Sequence, residues 1–143
     1  MKRTSVRYLS FGITVAALLG VTSGTAGAKD SEKANKALYL QYCGSCHGPD
    51  GKGNGVMASA LQTKPADLTQ ISKKNGGEFP TVMVEDFIRG KRGVPAHGDP
   101  EMPVWGQVFR EDAVGRSGAS SAKSQVHLKI AFITQYIKSI QEK

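Results

Sequence analysis

The stretch Cys43-Gly44-Ser45-Cys46-His47 contains both cysteines of the chain, and a histidine follows the second one directly. A Cys-x-x-Cys-His sequence is typical of covalent haem c attachment. Each thiol can add across one haem vinyl group, and the two-residue spacing places both sulfurs at neighbouring edges of the macrocycle. His47 can then bind the iron through a neutral imidazole nitrogen. The stretch therefore predicts one covalently attached haem c, held by Cys43, Cys46 and His47.

Three other roles for two cysteines at this spacing fit the surrounding sequence less well. A thioredoxin-like redox dithiol follows a strand in a βαβ unit, and no strand pattern precedes Cys43. A structural zinc site needs four ligands, usually supplied as two pairs, and the chain has no second Cys/His pair. A structural disulfide would close a very small loop, which stabilises a fold little. The haem interpretation is favoured.

The first 28 residues have the features of an export signal. Basic residues precede an apolar run at 8–21, and residues 26–28 form a small-x-small cleavage pattern. The apolar run is shorter than the ~20 residues of a transmembrane helix, which disfavours the alternative of a retained membrane anchor. We therefore predict a signal peptide at 1–28 and a mature chain at 29–143 in the periplasm, without stable membrane insertion. Export agrees with haem c attachment, because that attachment takes place outside the cytoplasm.

Length and charge restrict the organisation and the partners of the chain. At 143 residues it has room for one domain, which we place at 29–143. The formal charge of +7 includes three basic residues of the predicted signal peptide, so the domain carries +4. No basic run with interleaved aromatic residues is present, which disfavours nucleic acid as a partner. A mild positive charge suits acidic protein partners instead.

Helical periodicity and the lack of a convincing alternating strand predict an all-α domain. Ser31 is expected to cap a first helix that runs into Cys43. Pro65 or Asp67 opens a short helix, and a third helix begins with a cap at Thr81 and ends at Gly90. Apolar residues at steps of four and three predict a final helix over 126–140. Residues 91–103, with three prolines, predict an irregular loop, and residues 115–124 predict a flexible surface segment.

A haem iron bound by His47 needs a ligand, or an open position, on its other face. The candidates are Met57, Met83, Met102, His97 and His127. Met57 and Met83 stand in apolar helical segments, where core packing explains them, and His127 is expected at the surface. Met102 stands in the irregular loop and precedes Pro103, where no core role is expected. We therefore predict His47 and Met102 as the two iron ligands, with His97 as the alternative.

These features together resemble the class I cytochromes c of the small bacterial periplasmic type. Besides the haem motif with Gly48, the matching segments are Gly51-Lys52-Gly53, Pro65-Ala66-Asp67-Leu68, Ile88-Arg89-Gly90, Met102-Pro103-Val104-Trp105-Gly106 and Tyr136-Ile137. The resemblance covers most of residues 31–141. It implies a small helical fold wrapped around one haem, in which the first and last helices cross closely and a third packs nearby.

The resemblance also implies that a proline carbonyl, here Pro65, accepts a hydrogen bond from the second ring nitrogen of His47. The chain departs from the family pattern at Asn35, where many members have glycine at the helix crossing. The segment 115–124 also makes the span between Met102 and the last helix longer than in the smallest members.

The predicted function is electron transfer by a single haem, either as a free carrier or as a haem subunit of a respiratory or dehydrogenase complex. Its partners would be redox proteins. Enzymatic chemistry is not expected, because the sequence shows no nucleophile–base pair and no clustered carboxylates. Two alternatives stay open. A haem enzyme or gas-binding protein would leave the sixth position open, and a thiol–disulfide oxidoreductase would carry no haem.

Overall fold

The computed structural model describes residues 25–91 and 102–143, and this part of the chain contains helices and no strand. The prediction of an all-α fold is therefore confirmed for the described residues. The helices are α1 (Thr25–Tyr42), α2 (Gly44–His47), α3 (Ile71–Lys74), α4 (Thr81–Arg89), α5 (Trp105–Ser117) and α6 (Ala119–Ser139), with short 3₁₀ turns at Ala58–Ala60 and Leu68–Gln70. Across these two described ranges, no helix is long and apolar enough to cross a membrane.

Local signals set several of the helix ends. The Asp67 carboxylate accepts a hydrogen bond from the Thr69 N–H at 2.9 Å and caps the turn that leads into α3, as predicted. Gly90 adopts the left-handed conformation at φ 75° and ends α4, also as predicted. Thr81 is the first residue of α4 rather than its cap, and Pro80 occupies the cap position.

The predicted start of the first helix at Ser31 is wrong, because α1 already begins at Thr25. Ser31 lies inside the helix, where alanines around it favour helix continuation and no proline interrupts. The predicted signal peptide overlaps the described residues only at 25–28, so most of it lies outside them.

The prediction of a flexible segment at 115–124 is also wrong. These residues form the end of α5 and the beginning of α6, and Gly118 at φ 75° marks the break between the two helices. The two helices pack against each other and bury Phe109 and Ala113 of α5 and Ala122 of α6. Of the residues in this segment, Ala122 is buried, whereas Gly115 and Gly118 are exposed.

The core lies where α1 and α4 pack against α6. Tyr39 of α1 and Ile130 and Ile133 of α6 are completely buried there. Asn35, which replaces the glycine expected at the contact of the first and last helices, is buried. Its amide donates to Gln135 of α6 at 3.1 Å. Helix contact at this point therefore uses a polar pair, which satisfies the buried amide.

Candidate functional site

A single helical turn holds the three side chains of the Cys-x-x-Cys-His motif. The Cys43 N–H donates to Tyr39 O at 2.8 Å, and the His47 N–H donates to Cys43 O at 2.9 Å, so α1 passes almost directly into α2. Positions i, i+3 and i+4 of such a turn share one face. Cys43, Cys46 and His47 accordingly line the same cavity.

Two adjoining cavities, of about 350 Å³ and about 50 Å³, lie against this turn. Cys43, His47 and Met102 line both, and Cys46 lines the smaller one. The wall of the larger cavity is mostly apolar and is completed by residues of α4, of α3 and of the turn before α3, among them Met83, Val84, Phe87, Ile88, Ile71 and Leu68. Its volume lies within the range of cofactor sites in proteins.

A hydrogen bond to the carbonyl group of Ala66 orients the ring of His47. Its Nδ1 lies 2.9 Å from the carbonyl oxygen of Ala66, and the side chain is nearly buried. Because a carbonyl oxygen only accepts, Nδ1 carries the proton, and Nε2 is left with the lone pair that a metal ligand requires. The expected acceptor, Pro65, is therefore corrected to the next residue.

The reason for this shift is a close crossing of two loops. The Gly53 N–H donates to His47 O at 2.8 Å, and the Leu68 N–H donates to Gly51 O at 2.7 Å. At the crossing the Pro65 carbonyl oxygen lies directly beside Gly53, so closely that a Cβ there would clash with it. The Pro65 carbonyl is thus directed at Gly53, and the Ala66 carbonyl is left to accept from the ring.

Two buried tyrosines fasten the loop that follows His47. Tyr39 Oη donates to Gly48 O at 2.8 Å, and Tyr136 Oη donates to Pro49 O at 3.2 Å. Their ring centroids are 4.7 Å apart. Desolvation by burial raises the pKa of both hydroxyls, so both stay protonated and remain donors at neutral pH. This fastening of the loop by two tyrosine hydroxyls was not predicted from the sequence, although both residues stand on predicted helices.

The structure shows the surroundings of four of the five residues that the sequence offered as the second iron ligand. Met102 lines both cavities together with His47. Met83, for which core packing was predicted, also lines the larger cavity. Met57 is 48% exposed, so its predicted core role is wrong. His127 is exposed as predicted and lies 2.8 Å from the Arg89 guanidinium, and His97 lies outside the described residues.

Both cysteines are free thiols, and no disulfide joins them. Desolvation by burial, with a smaller effect of Cys46, raises the pKa of the Cys43 thiol to about 12. A thiol–disulfide oxidoreductase needs a thiolate of lowered pKa, and this thiol has the opposite property. Among residues 25–91 and 102–143, no group of three or more His, Cys, Asp or Glu side chains is placed to hold a bare metal ion.

The donors at this site fit a haem c. Two free thiols share one helical turn, an imidazole is oriented through its Nδ1, a thioether lines the same space, and the enclosing wall is apolar. No protein-family model matches the chain, and comparisons with curated proteins and with solved structures found no match. What the site can bind is therefore inferred from its own residues alone.

Proposed function

We propose that the chain is a monohaem electron-transfer protein of the class I cytochrome c type. In this proposal Cys43 and Cys46 attach one haem c, and His47 and Met102 are the two axial ligands of its iron. The observation that carries the proposal is that His47 and Met102, which stands 55 positions later in the chain, line the same apolar cavities. Haem iron between histidine and methionine exchanges single electrons at a raised potential.

In this proposal, the residues around the site favour a Met102 that stays bound to the iron in both its oxidation states. The Ala66 carbonyl orients His47 and increases the basicity of its Nε2. The apolar wall limits water at the iron position and so favours a thioether over a solvent ligand. Electron transfer without bond making needs this closed arrangement, whereas a haem enzyme or a gas-binding protein needs an open sixth position.

We further propose that the protein acts in the periplasm after removal of residues 1–28, either as a free carrier or as a haem subunit of a respiratory or dehydrogenase complex. Its net positive charge supports acidic redox proteins as donor and acceptor. The raised pKa of Cys43 speaks against the alternative in which the two thiols are themselves the redox centre.

The first test is covalent attachment. The full chain, produced in a host that assembles haem c, should give a haem-stained band on a denaturing gel, and extraction with acidified acetone should leave the colour on the protein. The Cys43→Ala/Cys46→Ala variant should lose both. Colour that extracts completely from the wild-type chain would contradict the proposal.

The second test identifies the sixth ligand. The oxidised wild-type protein should show the weak absorption band of iron–thioether bonding, and the reduced protein should bind carbon monoxide slowly. Met102→Ala should abolish the band and make carbon monoxide binding fast, because it opens the iron. Met83→Leu, which changes the other methionine of the cavity, and Met57→Leu at the surface are matched controls and should change neither. Rapid carbon monoxide binding by the wild type would favour the gas-binding or catalytic alternative.

A further inference from the structure

Lys129 of α6 is a lysine enclosed by aromatic rings beside the candidate site. Its side chain is only 15% exposed. Its ammonium donates to Asp112 Oδ2 at 3.1 Å and to Tyr42 Oη at 3.3 Å. It also lies 5.0 Å from the ring centroid of Tyr42 and 4.8 Å from that of Phe109. A largely buried ammonium needs such partners, and here all of them belong to other helices, α1 and α5.

The two rings under this ammonium, Tyr42 and Phe109, form one cluster with Trp105, which we call the aromatic wall. Tyr42 meets both other rings edge to face, at 5.5 Å from Trp105 and 4.8 Å from Phe109. Trp105 and Phe109 stack at 5.5 Å. These are favourable aromatic geometries, so each ring stabilises the position of the other two.

The aromatic wall contacts Lys129 and also borders the cavity that Met102 lines. Tyr42 and Trp105 line the smaller cavity together with Met102 and His47. Trp105 is the first residue of α5 and stands three positions after Met102. The position of Trp105 therefore restricts where residues 102–104 lie. Gly106 strengthens this anchorage, because its backbone approaches that of Arg89 so closely that a Cβ there would need the neighbouring backbone to move.

We propose that Lys129 is a positioning residue, whose ammonium holds the aromatic wall and thereby keeps Met102 at the cavity. The part that concerns Met102 as a ligand rests on the proposed function. Ion pairing alone does not explain the placement, since Asp112 already pairs with Arg116 on its own helix. What Lys129 adds is the link from α6 across α5 to the hydroxyl and ring of Tyr42.

Three variants separate positioning from general stability. Lys129→Met keeps an unbranched side chain and removes its charge. Because Asp112 keeps Arg116 as an ion-pair partner, the free energy of unfolding should change little. Lys129→Arg retains a cation that can stack on the rings and should restore the wild-type behaviour. Lys138→Met removes an exposed lysine of the same helix and serves as the matched control.

Two readouts follow the proposal at different levels. Trp105 is the only tryptophan, so the fluorescence emission maximum of the haem-free chain reports its surroundings, whereas an attached haem would quench this emission. It should move to longer wavelength in Lys129→Met and stay in place in Lys129→Arg and Lys138→Met. In the oxidised haem protein, Met102 has to leave before added imidazole can bind, so the apparent imidazole affinity rises with the open fraction. We expect a rise of about fivefold or more in Lys129→Met, from the loss of the cation–π contacts with Tyr42 and Phe109 and of the hydrogen bond to Tyr42 Oη.

Emission and imidazole affinity that are the same in Lys129→Met as in Lys138→Met would overturn the proposal. So would a shifted emission with unchanged imidazole affinity, because the wall would then not control Met102. If Lys129→Met does not fold by circular dichroism, Tyr42→Phe takes its place, since it removes only the hydroxyl, and the same changes are expected at smaller size. A chain that proves to carry no covalent haem contradicts the proposed function instead, and the emission of Trp105 then decides the role of Lys129 alone.

Discussion

Replacing Gly53 by alanine tests the loop crossing that orients His47. Gly53 has φ 72°, a conformation that costs an L-residue about 1–2 kcal/mol. A Cβ at this position would also clash with the Pro65 carbonyl, which is backbone and cannot rotate away as a side chain can. Forcing extra volume into a tightly packed place costs typically about 1–3 kcal/mol. We therefore expect Gly53→Ala to lower the free energy of unfolding by about 2–5 kcal/mol, the sum of these two effects.

Gly76 provides the matched control. It has φ 70°, nearly the same backbone conformation, but no atom lies within 4 Å of a Cβ placed there. Gly76→Ala should therefore show only the conformational cost of about 1–2 kcal/mol. The difference between the two variants, about 1–3 kcal/mol, measures the close approach of Gly53 to Pro65 by itself.

Guanidinium unfolding of both variants, followed by circular dichroism, gives these values by linear extrapolation. Displacement of Pro65 should also move the Ala66 carbonyl, so the proton on His47 Nδ1 should change its NMR chemical shift in Gly53→Ala and not in Gly76→Ala. Equal losses of stability in the two variants would refute the reasoning, since the crossing would then tolerate a methyl group.

Three further predictions concern polar groups of the core and of the segment before α3. Thr134 is 1% exposed and its Oγ1 has no hydrogen-bond partner among the described residues, so Thr134→Val should raise the free energy of unfolding by about 1 kcal/mol or more. Thr69→Val should lower the free energy of unfolding by about 1–2 kcal/mol, because the buried Thr69 hydroxyl donates to Asp67 at 2.6 Å. Denaturant melts of the two threonine variants should therefore show a gain of stability for Thr134→Val and a loss for Thr69→Val. A loss of stability in both variants would contradict this expectation. Hydrogen bonds from the Thr69 hydroxyl and N–H lower the pKa of the Asp67 carboxyl, so its contribution to stability is complete above the usual aspartate pKa of about 3.9 and is lost as pH falls through the lower folded value. Asp67→Asn should flatten the wild-type stability profile in that acid range, and an unchanged slope would argue against this role.

Much of the local structure could be predicted from the sequence. The cap at Asp67, the end of α4 at Gly90 and the apolar stripe of α6 depend on residues within one or two turns, so their signals are local. The same holds for the site motif, because three side chains at i, i+3 and i+4 share a face of any helical turn. Haem attachment and electron transfer stay predictions that the proposed experiments test.

Other features depend on contacts between distant segments, for which composition is a poor guide. Residues 115–124 look like a linker by composition, yet they form the end of α5 and the beginning of α6, two helices that pack against each other. Helix α5 itself was missed, although Trp105, Phe109 and Ala113 recur at steps of four and could have indicated it.

The candidate site shows the same division. The sequence alone determined which groups can bind a haem, since thiols, imidazole and thioether are properties of residue types. Only the tertiary structure decided that Ala66 rather than Pro65 accepts from His47, because the crossing at Gly53 directs the Pro65 carbonyl elsewhere. It also placed Lys129 on the ring of Tyr42, 87 positions away in the chain. Such contacts form only when helices far apart in sequence pack together, and no local pattern encodes the direction from which each one arrives.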